Sequence, residues 1–443
     1  MKQSPDASPA RILLPREYVV TFLLVTCLFA LWGFANDITN PMVAAFKNVL
    51  LLSHFQSSLV QAAFYGGYCV MAIPAALFIR RFSYRSGILV GLGLYALGCF
   101  LFAPAGQAKD FSLFLAAYFI MTSGLAFLET TANPYILSLG PAETAPRRLN
   151  FAQAFNPLGS LMGMFIAKDF ILARLDPADE SARRAMATDD PSAFAAITQA
   201  DLGVIVLPYI ILGGAVLAIL AIFWFTRLPE PVVEDEDKDG GVWATIKRLL
   251  SNADYIRGVV AQAFYVGAQI MVWTFIIQYA VNELGMAKST AQGYNIVAMV
   301  IFVSSRFICT YLLKFFSPGL LLGVCAIGGG LATLGAIFIQ GQTGLYCLVA
   351  VSAFMSLMFP TIYGIALRGL GNDAKLASAG LILAIGGGCF MPPIQGLIMD
   401  GAGLSLGALA LSATRASFLL PFLCFVVIAI YGFDCARRAA RRN

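Results

Sequence analysis

Charge is scarce in this chain: of 443 residues, 12% are charged and 59% hydrophobic, too few polar side chains to cover a soluble globule of that length. The chain therefore reads as a polytopic membrane protein. Histidine is nearly absent, His54 being the only one, which argues against a histidine-ligated metal and against a Ser-His-Asp nucleophile. Placed beside Ser53 and Gln56 between apolar runs, His54 reads as a solvated loop residue. A disulfide or zinc framework is missing as well. The nine cysteines, at 27, 69, 99, 309, 325, 347, 389, 424 and 435, show no CxxC spacing and lie nearly all in apolar runs, where they serve as small hydrophobes. A membrane-embedded transferase would need paired aspartates for magnesium or a His-Asp pair, and Asp189-Asp190 falls in a hydrophilic stretch. No enzyme, metal or cofactor is expected.

What the chain has in abundance is long apolar runs. Behind a polar head with Lys2, Arg11 and Arg16, the run from Tyr18 to Ala35 is too long for a signal peptide and ends in Asn-Asp, not in a small-residue cleavage site, so it is kept as the first span. Further runs at 57–79, 86–104, 112–139, 149–172 and 203–226 meet the criterion of roughly 20 apolar residues. Residues 227–252 then turn hydrophilic, with Pro229, Pro231, the acidic run Glu234-Asp-Glu-Asp237, paired glycines and Lys247-Arg248. Apolar runs resume at 256–282, 290–313, 319–340, 343–367, 376–399 and 415–433. The expectation is an all-α protein of twelve transmembrane helices in two six-helix halves, 1–226 and 253–443, joined by a loop at 227–252.

Basic residues set the orientation. Of the 29 Lys and Arg, twenty fall on the side of the N-terminus and eight on the other, with Arg306 inside the eighth span. Several of the eight belong to the long 5–6 loop, where charge counts least. Both termini are therefore expected in the cytoplasm, in a multi-pass protein of the inner (plasma) membrane. The net charge of +5 is a topology signal and calls for no nucleic-acid partner. The lipid bilayer is the expected surrounding partner, and a monomer the expected state.

Against this background two strings stand out. Phe34-Ala-Asn-Asp-Ile-Thr-Asn-Pro-Met42 places Asp37, two amides and a proline directly after the first apolar run, and Phe127-Leu-Glu-Thr-Thr-Ala-Asn-Pro134 repeats an acid followed by Asn-Pro in the fourth. An ionisable group inside a span is costly and faces a bundle interior or a water-filled cavity. Structural hydrogen bonding of each acid is the plainer alternative. Ala63-Phe-Tyr-Gly-Gly67 in span 2 and Ala263-Phe-Tyr-Val-Gly267 in span 7 form a second repetition. Together they fit two halves, each built from a 3+3 inverted repeat, as in major-facilitator transporters. Prolines 41, 134, 157, 360, 392 and 393 lie inside spans and mark bends, tolerated where neighbours or a cavity satisfy the freed carbonyls.

Phe127 to Pro134, Arg148-Leu-Asn-Phe-Ala-Gln-Ala-Phe-Asn156, Ala263-Phe-Tyr-Val-Gly-Ala-Gln269 and Gly386-Gly-Gly388 resemble the fucose:proton symporter family of the major facilitator superfamily, and the likeness runs through essentially all twelve spans. The resemblance implies proton-coupled uptake of a monosaccharide by rocking of the two halves. L-fucose stands first, glucose, galactose or an amino sugar such as N-acetylglucosamine as the alternatives, and sodium as the alternative coupling ion. A non-transporting membrane sensor or scaffold is the reading from another class. A sugar needs amides, carboxylates and an aromatic platform. Asn36, Asn40, Asn133, Gln153, Asn156 and Gln269 supply amides, and Tyr265 and Trp273 supply rings, with Gln269 and Trp273 on one helix face. Helix-to-helix hydrogen bonding is an equal reading for each amide alone. Trp32 and Trp224, nearer span ends, read as packing or interface residues. Arg306 reaches the cytoplasmic end or pairs inside the bundle, and Lys168 and Asp169 snorkel.

Glu129 is expected to couple proton and sugar movement, because an acid held away from water is costly to keep charged. In the family the first-span carboxylate stands at the place occupied here by Asn40, whereas this chain carries Asp37, nearly one turn earlier on the same face. Either Asp37 accepts a proton in relay with Glu129, the favoured reading, or the amides of Asn36 and Asn40 fix it in ionised form to orient the sugar. The loop Phe78 to Gly87, with Arg80, Arg81 and Arg85, either latches the halves or serves only as a positive-inside loop.

Overall fold

Lipid offers no partner to a backbone N–H or C=O, so the apolar runs close their hydrogen bonds internally as helices. The computed structural model describes residues 16–140, 148, 151–153, 155–226, 228, 229, 242–313, 315–368, 370, 373–406 and 409–442. Among them, eleven helices are long and apolar enough to cross a membrane. In the numbering used above these are span 1 (Val19–Val49), span 2 (His54–Arg81), span 3 (Tyr84–Ala108), span 4 (Phe111–Ser138), span 6 (Pro191–Phe225), span 7 (Ala253–Leu284), span 8 (Lys288–Leu312) and span 9 (Pro318–Phe338). Span 10 joins Gln342–Met355 to Met358–Ala366. Span 11 runs through Ala374–Leu383, the 3-10 turn Ala384–Gly386 and Gly387–Met399, and span 12 comprises Ala413–Ser417 and Leu419–Arg442. At the place expected for span 5, Phe155–Phe165 continues into a π-helical segment, Ile166–Leu172.

Several boundaries differ from the apolar runs because polar side chains extend the helices. Span 6 starts at Pro191, not 203, where Asp190 accepts from the Ala193 amide at 3.0 Å and the Ser192 hydroxyl at 2.6 Å. The 5–6 loop contains a helix of its own, Glu180–Asp189, capped by Asp179, which accepts from the Ala182 amide at 2.8 Å. These hydrogen bonds hold the Asp179 and Asp190 carboxyls below the usual range. The Asp189-Asp190 pair is thus the junction of two helices. The basic tail is helical, with Arg438 paired to Asp254 and Asp434. A small antiparallel hairpin, Leu404–Leu406 with Leu409–Leu411, sets Leu404 opposite Leu411 between spans 11 and 12, a local exception to the all-α class. In the connector, helix Val242–Ser251 carries Arg248, whose guanidinium donates twice to Asp373, at 3.0 and 2.7 Å, and holds that carboxyl low. The acidic run Glu234 to Asp237 lies outside the described residues.

The first six spans pack among themselves, as do the last six, and span 2 joins the two groups, lying on span 4 of its own half and along span 11 of the other. Spans 1 and 7, and spans 5 and 8, also touch. Without a hydrophobic force between helices in lipid, small residues govern such approaches. A Cβ on Gly159 would lie 1.9 Å from the Ala30 carbonyl oxygen, and one on Gly33 would lie 2.0 Å from that of Asn156. The spans 1–5 seam therefore closes backbone to backbone. Large apolar side chains such as Ile211, Leu331 and Phe390 cover the outer faces.

The turn after span 1 and the 5–6 loop mark one end of the bundle, called the distal end below; the 2–3 loop and the C-terminal arginines mark the connector end. At the distal end Lys47 pairs with Glu180, and Asn48 donates to the Ala178 carbonyl at 3.3 Å. Arg183, fully buried, pairs with buried Asp201. His54 is not a solvated loop residue: it is the first residue of span 2 and only 9% exposed, because span 11 packs over it. At the connector end Arg148 turns back onto span 4 and donates to the carbonyls of Ile136 and Gly140, at 3.3 and 3.2 Å, capping the end where carbonyls lack partners.

Candidate functional site

Span 1 stays helical through Pro41, so Asn36, Asp37 and Asn40 keep their helical spacing. Asp37 is 1% exposed. Its Oδ1 accepts from the Asn40 side-chain amide at 3.2 Å, and Asn36 and Ser160 of span 5 lie within hydrogen-bonding reach. Asn40 is oriented in turn: its carbonyl oxygen accepts from the Gln61 amide of span 2 at 3.0 Å, leaving its NH₂ to face Asp37. No cation pairs with Asp37 among the described residues. The close span 1–span 5 seam is what places Ser160 against this acid.

Glu129 sits in a different setting. It is half-buried, and its Oε2 has no hydrogen-bond partner among the described residues. The Asn133 amide donates to its backbone carbonyl at 3.0 Å, and Gln153 donates to the Asn133 side-chain oxygen at 3.2 Å. Between the two acids stand two tyrosines of span 2. The Tyr65 hydroxyl donates to Asn36 Oδ1 at 2.9 Å; the Tyr68 ring stacks beside Tyr65, centroids 6.4 Å apart, and lies within electrostatic reach of Glu129. Asp37, Asn40, Asn36, Gln61 and Tyr65 thus make one polar network, with the Tyr68 ring beside it and the Glu129, Asn133 and Gln153 group at its border.

Some expected contacts fall elsewhere. Asn156 donates to the Phe29 carbonyl at 3.4 Å and ties span 5 to span 1. Trp273 is 4% exposed, its indole N–H donates to Ser352 at 3.1 Å, and its ring stands edge-on to Phe302; it forms a wall inside the second half. Tyr265 is fully buried against Phe359, with its hydroxyl unpartnered among the described residues, and Gln269 is half-buried. Arg306 is exposed with its guanidinium 4.9 Å above Phe302, and Lys168 pairs with Asp169 at 3.6 Å. Arg85 bonds the Trp224 carbonyl within its own half and Arg81 lies over the Phe82 ring; the side chain of Arg80 is outside the described set. Gln61, Tyr65, Tyr68 and Ser160 were missed as site residues, although 61, 65 and 68 follow the spacing of a single helix face. A groove of about 620 Å³ between spans 9 and 12, lined by Leu331, Phe422 and Phe433, contains none of these residues.

A family model described as Major Facilitator Superfamily matches residues 23–422. The L-fucose-proton symporter of Haemophilus influenzae is 53% identical over 422 residues, covering 95% of this chain and 97% of that protein. The chain belongs to the fucose:proton symporter family of the major facilitator superfamily. Its relative in Escherichia coli K12, also named L-fucose-proton symporter, is 34% identical over 94% of this chain and 93% of its own length. The crystal structure of FucP, a major-facilitator transporter in the outward conformation, superposes with a TM-score of 0.70 at 34% identity, covering 95% of this chain and 99% of FucP. The fold expected from the apolar pattern is thus the family fold, and the chain is a multi-pass transporter, not an enzyme. Within that fold the network around Asp37 joins spans 1, 2 and 5 of the first half.

Proposed function

We propose that this protein is a proton-coupled symporter that takes up L-fucose by alternating access, with both termini in the cytoplasm, the distal end facing the periplasm, and units 1–226 and 253–443 rocking as bodies linked by 227–252 in a monomer. The observation that carries the reading is the pair of acids on either side of Tyr65 and Tyr68: Asp37, buried with no cation among the described residues, and half-buried Glu129, with one oxygen unpartnered among them. A buried carboxylate with no cation is costly to keep ionised. The acids therefore exchange protons as the cavity changes its exposure, Glu129 as the coupling group and Asp37 as the second acceptor. The 53% identical L-fucose-proton symporter supports the choice of sugar.

In this reading the sugar is met by the half-buried amides Asn36, Asn133 and Gln269 and exposed Gln153, while Asn40 and Asn156 hold the framework and Tyr265 and Trp273 line the second half. Arg80, Arg81 and Arg85 are assigned to the cytoplasmic loop, Arg85 bracing the first half through span 6. The experiment is uptake by reconstituted vesicles under imposed proton or sodium gradients, with L-fucose, glucose, galactose and N-acetylglucosamine in parallel. Proton-driven accumulation of L-fucose above the others is expected. Accumulation driven only by sodium, or of another sugar alone, overturns the coupling or the substrate; no accumulation of any sugar returns the protein to a sensor or scaffold role.

A further inference from the structure

Span 2 begins with a capping box: Ser53 Oγ accepts from the Gln56 amide at 3.0 Å, and Gln56 Oε1 accepts from the Ser53 amide at 3.0 Å. The Ser57 amide already reaches the Ser53 carbonyl at 3.0 Å. Of the first-turn amides that a helix leaves without internal partners, this cap leaves those of His54 and Phe55. Both are taken by one carboxylate of the opposite half. His54 N–H donates to Asp400 Oδ1 at 2.7 Å and Phe55 N–H to Asp400 Oδ2 at 2.8 Å. Asp400 directly follows the last helical residue of span 11. The two helices touch here backbone to backbone, since a Cβ on Gly396 would lie 2.6 Å from the His54 carbonyl oxygen and 2.9 Å from Ser58 Oγ.

We propose that Asp400 is a positioning residue for transport, an interhalf latch that holds the distal mouth closed by capping span 2 with a charge from span 11. The carboxylate meets two amide donors and the positive end of a helix dipole, and both terms vanish when spans 2 and 11 part at this end. Because Asp400 is solvent-exposed, water and salt weaken the latch. A hold of this kind changes the closed-to-open ratio by roughly three- to thirtyfold. It biases the cycle without locking it.

The test measures thiol labelling of Ser58→Cys in a cysteine-free background in detergent, where reagent reaches both ends and neither sugar nor orientation enters. Ser58 is fully buried under Gly396, so its reaction rate reports separation of spans 2 and 11. Asp400→Asn is expected to raise the rate within the range above, and Asp400→Glu to recover part of the hold. An independent variant removes a receiving amide. His54→Pro deletes one donor at the first helical position, where proline is favoured, and the extended Ser53 backbone, φ −69° and ψ 166°, suits a following proline. His54→Ala, which keeps the amide, is its control. Gly396→Val, which forces the helices apart, calibrates the assay. In uptake, Asp400→Asn should lower Vmax and KM together, because the distal mouth stays open longer, a split that a folding defect does not give. Wild-type labelling in both Asp400→Asn and His54→Pro, with faster labelling in Gly396→Val, overturns the latch.

Discussion

Exchanging Asp37 and Asn40 probes the first-span acid most directly. In Asp37→Asn the side chain keeps its shape, and the Gln61-to-Asn40 hydrogen bond at 3.0 Å can persist. What disappears is a carboxylate accepting from Asn40 at 3.2 Å, with Ser160 and Asn36 in reach. The carboxamide at position 37 still accepts from Asn40, so that hydrogen bond loses only its charge assistance, about 1 kcal/mol or roughly fivefold in an equilibrium, whereas the proton site itself is gone and sugar-driven proton uptake should fall to background. In the double change Asp37→Asn with Asn40→Asp, the carboxylate now at position 40 accepts from Gln61 and from the amide introduced at position 37, across the same two distances. The network is conserved with the charge moved by nearly one turn, and most of the lost uptake should return. The assay is alkalinisation of a weakly buffered vesicle suspension on addition of sugar. Undiminished alkalinisation in Asp37→Asn would show that this acid is not a proton acceptor; a double variant no better than the single one would refute the turn-shift reasoning.

Glu129→Gln should abolish uphill accumulation while sparing part of the sugar exchange between vesicle interior and bath, and normal pH-driven accumulation would remove Glu129 from the coupling role. Single cysteines at Asp189 and Asp237 in a cysteine-free background should differ in intact cells, the first reacting with an impermeant reagent and the second staying protected; the reverse pattern would invert the proposed orientation. Gly159→Val should cost about 1–3 kcal/mol or more by overpacking, because its Cβ meets Ala30 at 1.9 Å, whereas Gly203→Val, where a Cβ meets nothing within 4 Å, should be nearly silent in thermal unfolding. The caps at Asp179 and Asp190 and the Arg248-paired Asp373 titrate below the ordinary carboxylate range, so their contribution is complete above that range and disappears only as pH falls through the lowered values. From roughly pH 5 to 8 they stay ionised. These three carboxylates should therefore add no slope to thermal stability across that window, so Asp179→Asn, Asp190→Asn and Asp373→Asn should leave its pH dependence between about pH 5 and 8 unchanged; an altered dependence would tie the pH response to them.

The spans were legible because lipid removes every alternative to a hydrogen-bonded helix, so apolar length alone predicts them. Their ends were not, because caps such as Asp190 and Ser53 extend helices into polar sequence that hydropathy assigns to loops. Asp37 and Glu129 stood out as acids in apolar runs, but their settings depend on partners far along the chain. Gln61 and Ser160 look like ordinary polar residues until spans 1, 2 and 5 are packed. Tyr65 and Tyr265 share a repeated motif, and of the two Tyr265 alone stood out as a candidate ring for the sugar, yet Tyr65 bonds Asn36 while the Tyr265 hydroxyl stands unpartnered among the described residues. Motif equivalence between halves therefore does not carry equivalence of contact. Trp273 shows the same dependence on distant partners: helix-face spacing pairs it with Gln269, and a serine 79 positions away takes its indole N–H.

One helix connects the acids to the mouth. Gln61, Tyr65 and Tyr68 of span 2 face the Asp37 network and Glu129, while the amides of His54 and Phe55 at its start are held from span 11. Gln61 lies two turns from His54, about 10 Å along the axis at 1.5 Å per residue. A continuous helix over that distance moves as a rigid element, and spans 1 and 2 belong to the same rocking half, so the Gln61–Asn40 hydrogen bond travels with that half when span 2 parts from span 11. What the parting changes is the wetting of the face that carries the acids, and water lowers the cost of an ionised carboxylate there. The mouth and the acid then bias the same two-state element, which is the physical requirement for coupling between separated sites. A charged acid favours the arrangement that wets it and the latch favours the one that closes the mouth, so protonation and closure change together without a dedicated relay between them.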